Sequence, residues 1–154
     1  MSASVYYDLL DGAEQAVQSL AGVAATCQTI LRAEPVLVAM QDRFPQIVVA
    51  CDPDLAESRE PNEQYFGGHL VGYEVYVLLV TEKRWSREML QWRLERRAEI
   101  FAAMYKVRLL VGVEARQFDV FYDPKPIIDR SWLKDTLHMT AQKFTYKTAE
   151  EVVV

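Results

Sequence analysis

Residues 69–83, HLVGYEVYVLLVTEK, decide the fold. Side chains alternate across a strand, so the two parities can be read separately. Val71, Tyr73, Val75, Val77 and Leu79 fall on one face. Leu70, Tyr76, Leu78 and Val80 fall on the other, with Glu74 among them. Apolar residues on both parities in the C-terminal half predict a central strand, covered on each side.

The next segment, WSREMLQWRLERRAEIFAAM at 85–104, has helical spacing. Ser86 is placed to cap its start. Leu90, Leu94, Ala98, Phe101 and Tyr105 form one apolar stripe, widened by Met89 and Met104, and this stripe is expected to pack on the sheet. Arg87, Glu88, Gln91 and Glu95 lie off it. Arg84 with Glu88, and Arg96 with Glu99, have the spacing of mixed-sign pairs. A helix that reads DNA would turn its arginines outward together without acids between them. The interleaved acids point instead to a packed helix with a charged back, and next to arginines used at a protein interface.

Upstream, Tyr6, Leu9, Ala13, Val17, Leu20, Ala24, Cys27 and Leu31 recur at helical spacing and predict a helix over 4–33. Ser4 is a candidate cap, Glu34-Pro35 ends the pattern, and Gly22 marks where the helix could break in two. VLVAM at 36–40 is too short to assign, and QIVVA at 46–50 predicts a buried strand. Residues 52–68, polar with two prolines and a Gly-Gly, predict a long loop. Downstream, 107–113 reads as a connection or short strand, 117–123 as a strand and 137–151 as a last strand. In that last strand Leu137, Met139 and Ala141 differ in parity from Phe144 and Tyr146, which suggests a bulge near Gln142. Residues 150–154 read as a C-terminal tail. The whole chain, 1–154, is expected to be a single α+β domain, with a mainly antiparallel sheet of about four strands packed against two main helices.

Composition narrows the function. The net charge is −5 and the pI about 5.1, so the basic footprint of a free-standing DNA-binding domain is missing. Cys27 and Cys51 are too few for a disulfide framework or zinc set and read as small buried apolar residues. The N-terminus lacks the basic and apolar regions of a signal peptide, and no apolar run approaches membrane-spanning length, so no membrane association is expected. His69 and His138 lie in no metal-binding spacing. There is no P-loop, G-x-G-x-x-G or G-x-S-x-G. Asp52 with Asp54, and Asp119 with Asp123, are the nearest approach to paired carboxylates. The reading is therefore of a non-enzyme, with no catalytic residue, no metal and no cofactor.

The order of these segments also carries a resemblance. GYEVYVLLVTEK at 72–83, then the arginine-rich helix, an aromatic strand and the closing KFTYKTAEE at 143–151, resembles phage tail terminator proteins, tail-completion components of the neck of long-tailed phages. The likeness covers roughly residues 45 to 150 and consists of element order and texture without an invariant motif. It implies a structural virion protein, assembled in the host cytoplasm, whose hexameric ring caps the tail tube and ends its growth. The implied partners are other copies of the chain, the tail tube protein and the head-tail connector or stopper proteins, with genomic DNA passing through the lumen unbound. A ring needs exposed arginine and aromatic anchors, for which Tyr65, Phe66, Arg84, Trp85, Arg87 and Trp92 are the candidates. The alternatives are a head-tail adaptor or stopper, a small metal-dependent carboxylate hydrolase, and a monomeric binding module.

Overall fold

A computed structural model of the chain describes residues 5–20, 22, 28–32, 45–51, 63–65, 68–83, 86–105, 119–126 and 136–151. They form an α+β arrangement of two main helices and a mainly antiparallel sheet. The elements run α1 (Val5–Gln18), β1 (Gln28–Arg32), β2 (Gln46–Cys51), β3 (Glu63–Tyr65), β4 (Gly68–Glu82), α2 (Arg87–Met104), β5 (Asp119–Asp123) and β6 (Leu137–Glu151). The sheet order is β1-β2-β4-β6-β5, with β3 also paired to β4. The four strands β2, β4, β6 and β5 are antiparallel to their neighbours, while β1 joins β2 in parallel.

The 69–83 stretch is the central strand that its two-sided apolar pattern predicts. Among its described side chains, Tyr73, Val75, Val77 and Leu79 join the core under α1, which also contains Tyr6, Leu9, Ala13, Val17, Ile100 and Met104. Tyr76, Leu78 and Val80 join Val48, Ala50, Leu137, Met139 and Ala141 in a second core on the opposite face. Both helices contribute to the first core, and we call that the helix face of the sheet.

Three local expectations are corrected. The helix over 4–33 breaks after Gln18, a little before Gly22 where the break was expected; Gly22 is again helical, and residues 28–32 form β1 instead. Ser19 Oγ donates to the Ala16 carbonyl at 2.9 Å, a local bond of the kind that competes with helix propagation. Beyond it, the β-branched Thr29 and Ile30 favour the extended chain. The loop over 52–68 contains a strand at its end, because Glu63–Tyr65 pairs with Gly68–Leu70. The bulge near Gln142 does not form: β6 runs in unbroken register from Leu137↔Glu82 to Glu151↔Gly68. Its apolar residues change parity because both sheet faces are buried, with Met139 and Ala141 on one and Phe144 and Tyr146 on the other. Glu150 and Glu151 consequently belong to the strand, not to a tail. The readings at Ser4, Cys27, 36–40 and 107–113 lie outside the described residues.

Candidate protein-interaction surface

Helix α2 begins as its sequence predicts. Ser86 has extended backbone angles, φ −150° and ψ 159°, and its side chain accepts a hydrogen bond from the Met89 N–H at 3.0 Å. The face that α2 then turns to the sheet is not the apolar stripe. Its buried residues are Arg93, Ile100, Ala103 and Met104.

Arg93 is only 5% exposed. Its Nε and Nη2 donate to Thr81 Oγ1 at 3.1 and 2.9 Å, and Nη2 also donates to the Glu82 carbonyl at 2.9 Å. Desolvation lowers its pKa from the usual arginine value, yet guanidinium remains charged in proteins. One turn later, Arg97 donates to the Ala141 and Pro124 carbonyls at 3.4 and 3.3 Å. Gln142 Nε2 returns a bond to the Arg97 carbonyl at 3.2 Å and another to the Tyr122 hydroxyl at 2.9 Å. Arg96 donates to Glu99 at 3.0 Å and to the Gly22 carbonyl at 3.2 Å, so the predicted Arg96–Glu99 pair forms. Long arginine stems cover apolar surface while their forked heads reach several backbone acceptors at the rim of the sheet. Shorter leucines on the same face could not satisfy those acceptors.

With the arginines inward, the stripe faces out. Leu90 is 45% exposed, Leu94 57% and Tyr105 49%, and Ala98 is also exposed. Only Phe101 at the edge of the stripe remains half-buried, with ring centroids 4.7 Å from Tyr122 and 5.0 Å from Tyr105. The expectation that this stripe packs on the sheet is thus overturned over its first three turns. Helical spacing sets exposed Arg87, Gln91 and Ala98 beside the leucines, with exposed Glu88 and Glu95 farther round, where Gln91 Nε2 donates to Glu95 Oε1 at 2.9 Å.

A second apolar exposure lies on the other side of the sheet. Phe121 of β5 is 54% exposed, and Lys147 Nζ sits 4.9 Å from its ring centroid. Phe121 is the register partner of Thr145, which shares its parity with Lys143 and Lys147. Lys143 Nζ is 4.0 Å from Glu74 Oε1.

The interface candidates read from sequence do not converge on one place. Arg87 is exposed at the start of α2. Trp92 packs against the core and lies under the Arg96 guanidinium, 5.6 Å from ring to cation, so it serves the helix–sheet junction. The burial of Arg96 explains why a tryptophan four residues earlier was held down rather than presented. Tyr65 is the last residue of β3, opposite Gly68. Phe66, Arg84 and Trp85 lie outside the described residues. The residues that sequence reasoning missed as surface groups are Leu90, Leu94, Tyr105 and Phe121. The signal was present at Arg93, Arg96 and Arg97, since three arginines crowded on one side of a helix with few acids there need acceptors.

Asp119 and Asp123 stand at the two ends of β5, opposite Lys147 and Lys143. Four residue steps along the strand separate them by about 13 Å, and Asp123 Oδ1 accepts the Lys125 N–H at 2.9 Å as a turn cap. Among the described residues, no group of three or more His, Cys, Asp or Glu side chains is gathered as a metal site. No described helix is long and apolar enough to cross a membrane. No protein-family model matches the chain, and no curated protein matches it.

Proposed function

We propose that the chain is a structural ring subunit of a long-tailed phage neck, of the tail terminator kind, which caps the tail tube, ends its elongation and presents a surface for joining to the head. The observation that carries this reading is the outward stripe of α2. A row of exposed leucines and a tyrosine on a capped, well-anchored helix marks a protein–protein contact, and the helix is held rigidly enough by Arg93 and Arg97 to present it. The reading also draws on the resemblance of the segment order in the sequence to that family, and the net charge of −5 suits a ring through which DNA slides without adhering.

The test is to add purified protein to polymerising tail tubes and measure tube length by electron microscopy. Tubes of limited length, each ended by a ring, are the expected result. Tubes that grow unchanged beside excess protein overturn the terminator role. Binding to head connectors without an effect on tube length would place the chain at the adaptor or stopper station instead.

A further inference from the structure

We infer that residues 150–154 of one copy of this chain, Glu-Glu-Val-Val-Val, dock on the Leu90–Leu94 stripe of α2 in a second copy, an inference that deepens the ring reading above and rests on it.

Reach decides that the occupant comes from another copy. β6 is 15 residues long. Its first residue, Leu137, pairs with Glu82, and its last, Glu151, pairs with Gly68. The strand therefore spans about 46 Å. The first turns of α2 lie at the Leu137 end, where Arg93 is bonded to Thr81 and to the Glu82 carbonyl. Leu90 stands one turn before Arg93, and Leu94 follows it. Residues 152–154 lie outside the described residues, but they follow Glu151 at the opposite end of the strand. Three residues reach at most about 11 Å. The valines therefore cannot meet the stripe of their own chain, whereas the stripe of a neighbour set head to tail is within their reach.

Charge and length then match. Helical spacing puts Arg87 three residues before Leu90 and Arg97 three after Leu94, so a cation stands at each end of the leucine pair. Arg87 is exposed and meets no acid among the described residues. Arg97 holds the Ala141 and Pro124 carbonyls through long bonds of 3.4 and 3.3 Å. Glu95 is already engaged by Gln91 and Arg96, and Glu88 lies farther round the helix. The segment offers the converse pattern, two carboxylates followed by three apolar residues. From Arg87 to Leu94 the helix rises about 10 Å, and residues 151–154 in extended form span about 10 Å. Glu151 at Arg87 thus sets the valines over the leucines.

The segment and the stripe are different patches at opposite ends of one subunit, so the contact is heterologous. Repeated about a closed rotation, it makes a ring. Each contact is smaller than a standard interface, and the ring holds because every subunit is gripped twice.

The direct probe is an amidated, fluorescently labelled peptide of residues 148–154, Thr-Ala-Glu-Glu-Val-Val-Val, titrated into variants of the full chain and followed by polarisation. Val153→Asp spoils the segment and leaves the stripe intact, and Leu94→Glu spoils the stripe. Leu94 is more than half exposed and Val153 follows the last register pair of β6, so both variants should melt with the unaltered chain. The peptide should bind Val153→Asp, and bind Leu94→Glu at least about tenfold more weakly, as loss of a central anchor does. A further Arg87→Glu change should weaken binding to Val153→Asp, and the peptide carrying Glu151→Arg should regain part of that loss. In light scattering, the unaltered chain should form assemblies that each variant dissolves. The two variants mixed should pair, since each brings one intact surface.

A peptide that binds neither variant up to about millimolar concentration overturns the contact, and so does one that binds both equally. Assemblies that survive in either variant overturn the contact and leave the ring reading standing. A two-copy assembly that both variants dissolve keeps the contact and sinks the ring. Tubes that grow unchanged while the peptide binds sink the neck role alone.

Discussion

Arg93 Nε and Nη2 both donate to the single oxygen Thr81 Oγ1, at 3.1 and 2.9 Å, and so fasten the second turn of α2 to the end of the central strand. The same guanidinium satisfies the Glu82 carbonyl where β4 stops. A buried cation persists here because three hydrogen bonds replace its hydration.

Arg93→Ala removes those bonds and the packing of the stem. It should destabilise the domain by about 2–3 kcal/mol, the range for a buried charged hydrogen-bonding group with its acceptors left unpaired. Urea unfolding followed by circular dichroism checks this. Arg93→Lys should recover less than half, because an ammonium cannot span Thr81 and Glu82 as a fork does. Full recovery by lysine would show that charge alone matters at this junction.

The Tyr146 hydroxyl donates to the Met104 carbonyl, joining the end of α2 to β6. Tyr146→Phe should cost about 1–2 kcal/mol by orphaning that carbonyl. Burial also raises the Tyr146 pKa well above its ordinary value. The unfolded chain then releases this proton before the folded one does. Stability from this group is complete below the usual tyrosine range and falls as pH rises through it. The alkaline fall in melting temperature should therefore be shallower in Tyr146→Phe than in the unaltered chain.

Glu14 has its pKa raised, first by desolvation and then by Asp11. Here the folded state holds the proton more tightly, so stability declines as pH climbs past the ordinary glutamate range. Glu14→Gln should raise the melting temperature slightly at neutral pH. That gain should vanish on acidification, once both states are protonated. A gain that persists at low pH would trace to helix propensity instead.

A methyl group at Gly22 would stand 2.3 Å from Arg96 Nη1. The guanidinium can swing aside, but only by leaving the Gly22 carbonyl and its place over Trp92. Gly22→Ala should cost about 1 kcal/mol, the worth of one such hydrogen bond. In an Arg96→Ala background the same change should cost nothing. Equal costs in both backgrounds would locate the effect in the backbone.

How much of this was legible beforehand depends on the range of the forces involved. The alternation in 69–83 was enough to specify a central strand with two buried faces, because a period of two is a local property of an extended chain. The Ser86 cap was legible for the same reason, since its bond to Met89 spans three residues. The strands at 46–50 and 137–151 followed from their apolar content. For the candidate surface, the apolar stripe itself was found at the right residues and assigned the wrong direction.

That direction belongs to the tertiary structure. Periodicity shows that Leu90 and Leu94 share a side of α2, but the side turned to the sheet is chosen by what the sheet offers. Here it offers Thr81 Oγ1 and the carbonyls of Glu82, Ala141 and Pro124, and the acceptors lie 11 to 44 residues away from the arginines that meet them. Only a forked donor can meet these acceptors, and a leucine has none to offer, so the arginines turn inward and the leucines remain outside. β1 was decided in the same way, since an edge strand at 28–32 exists only through its parallel partner at 46–50. Where the pattern was local, residue spacing alone settled which segments were strand and which helix. The packing of those segments decided which face of α2 is left for a partner.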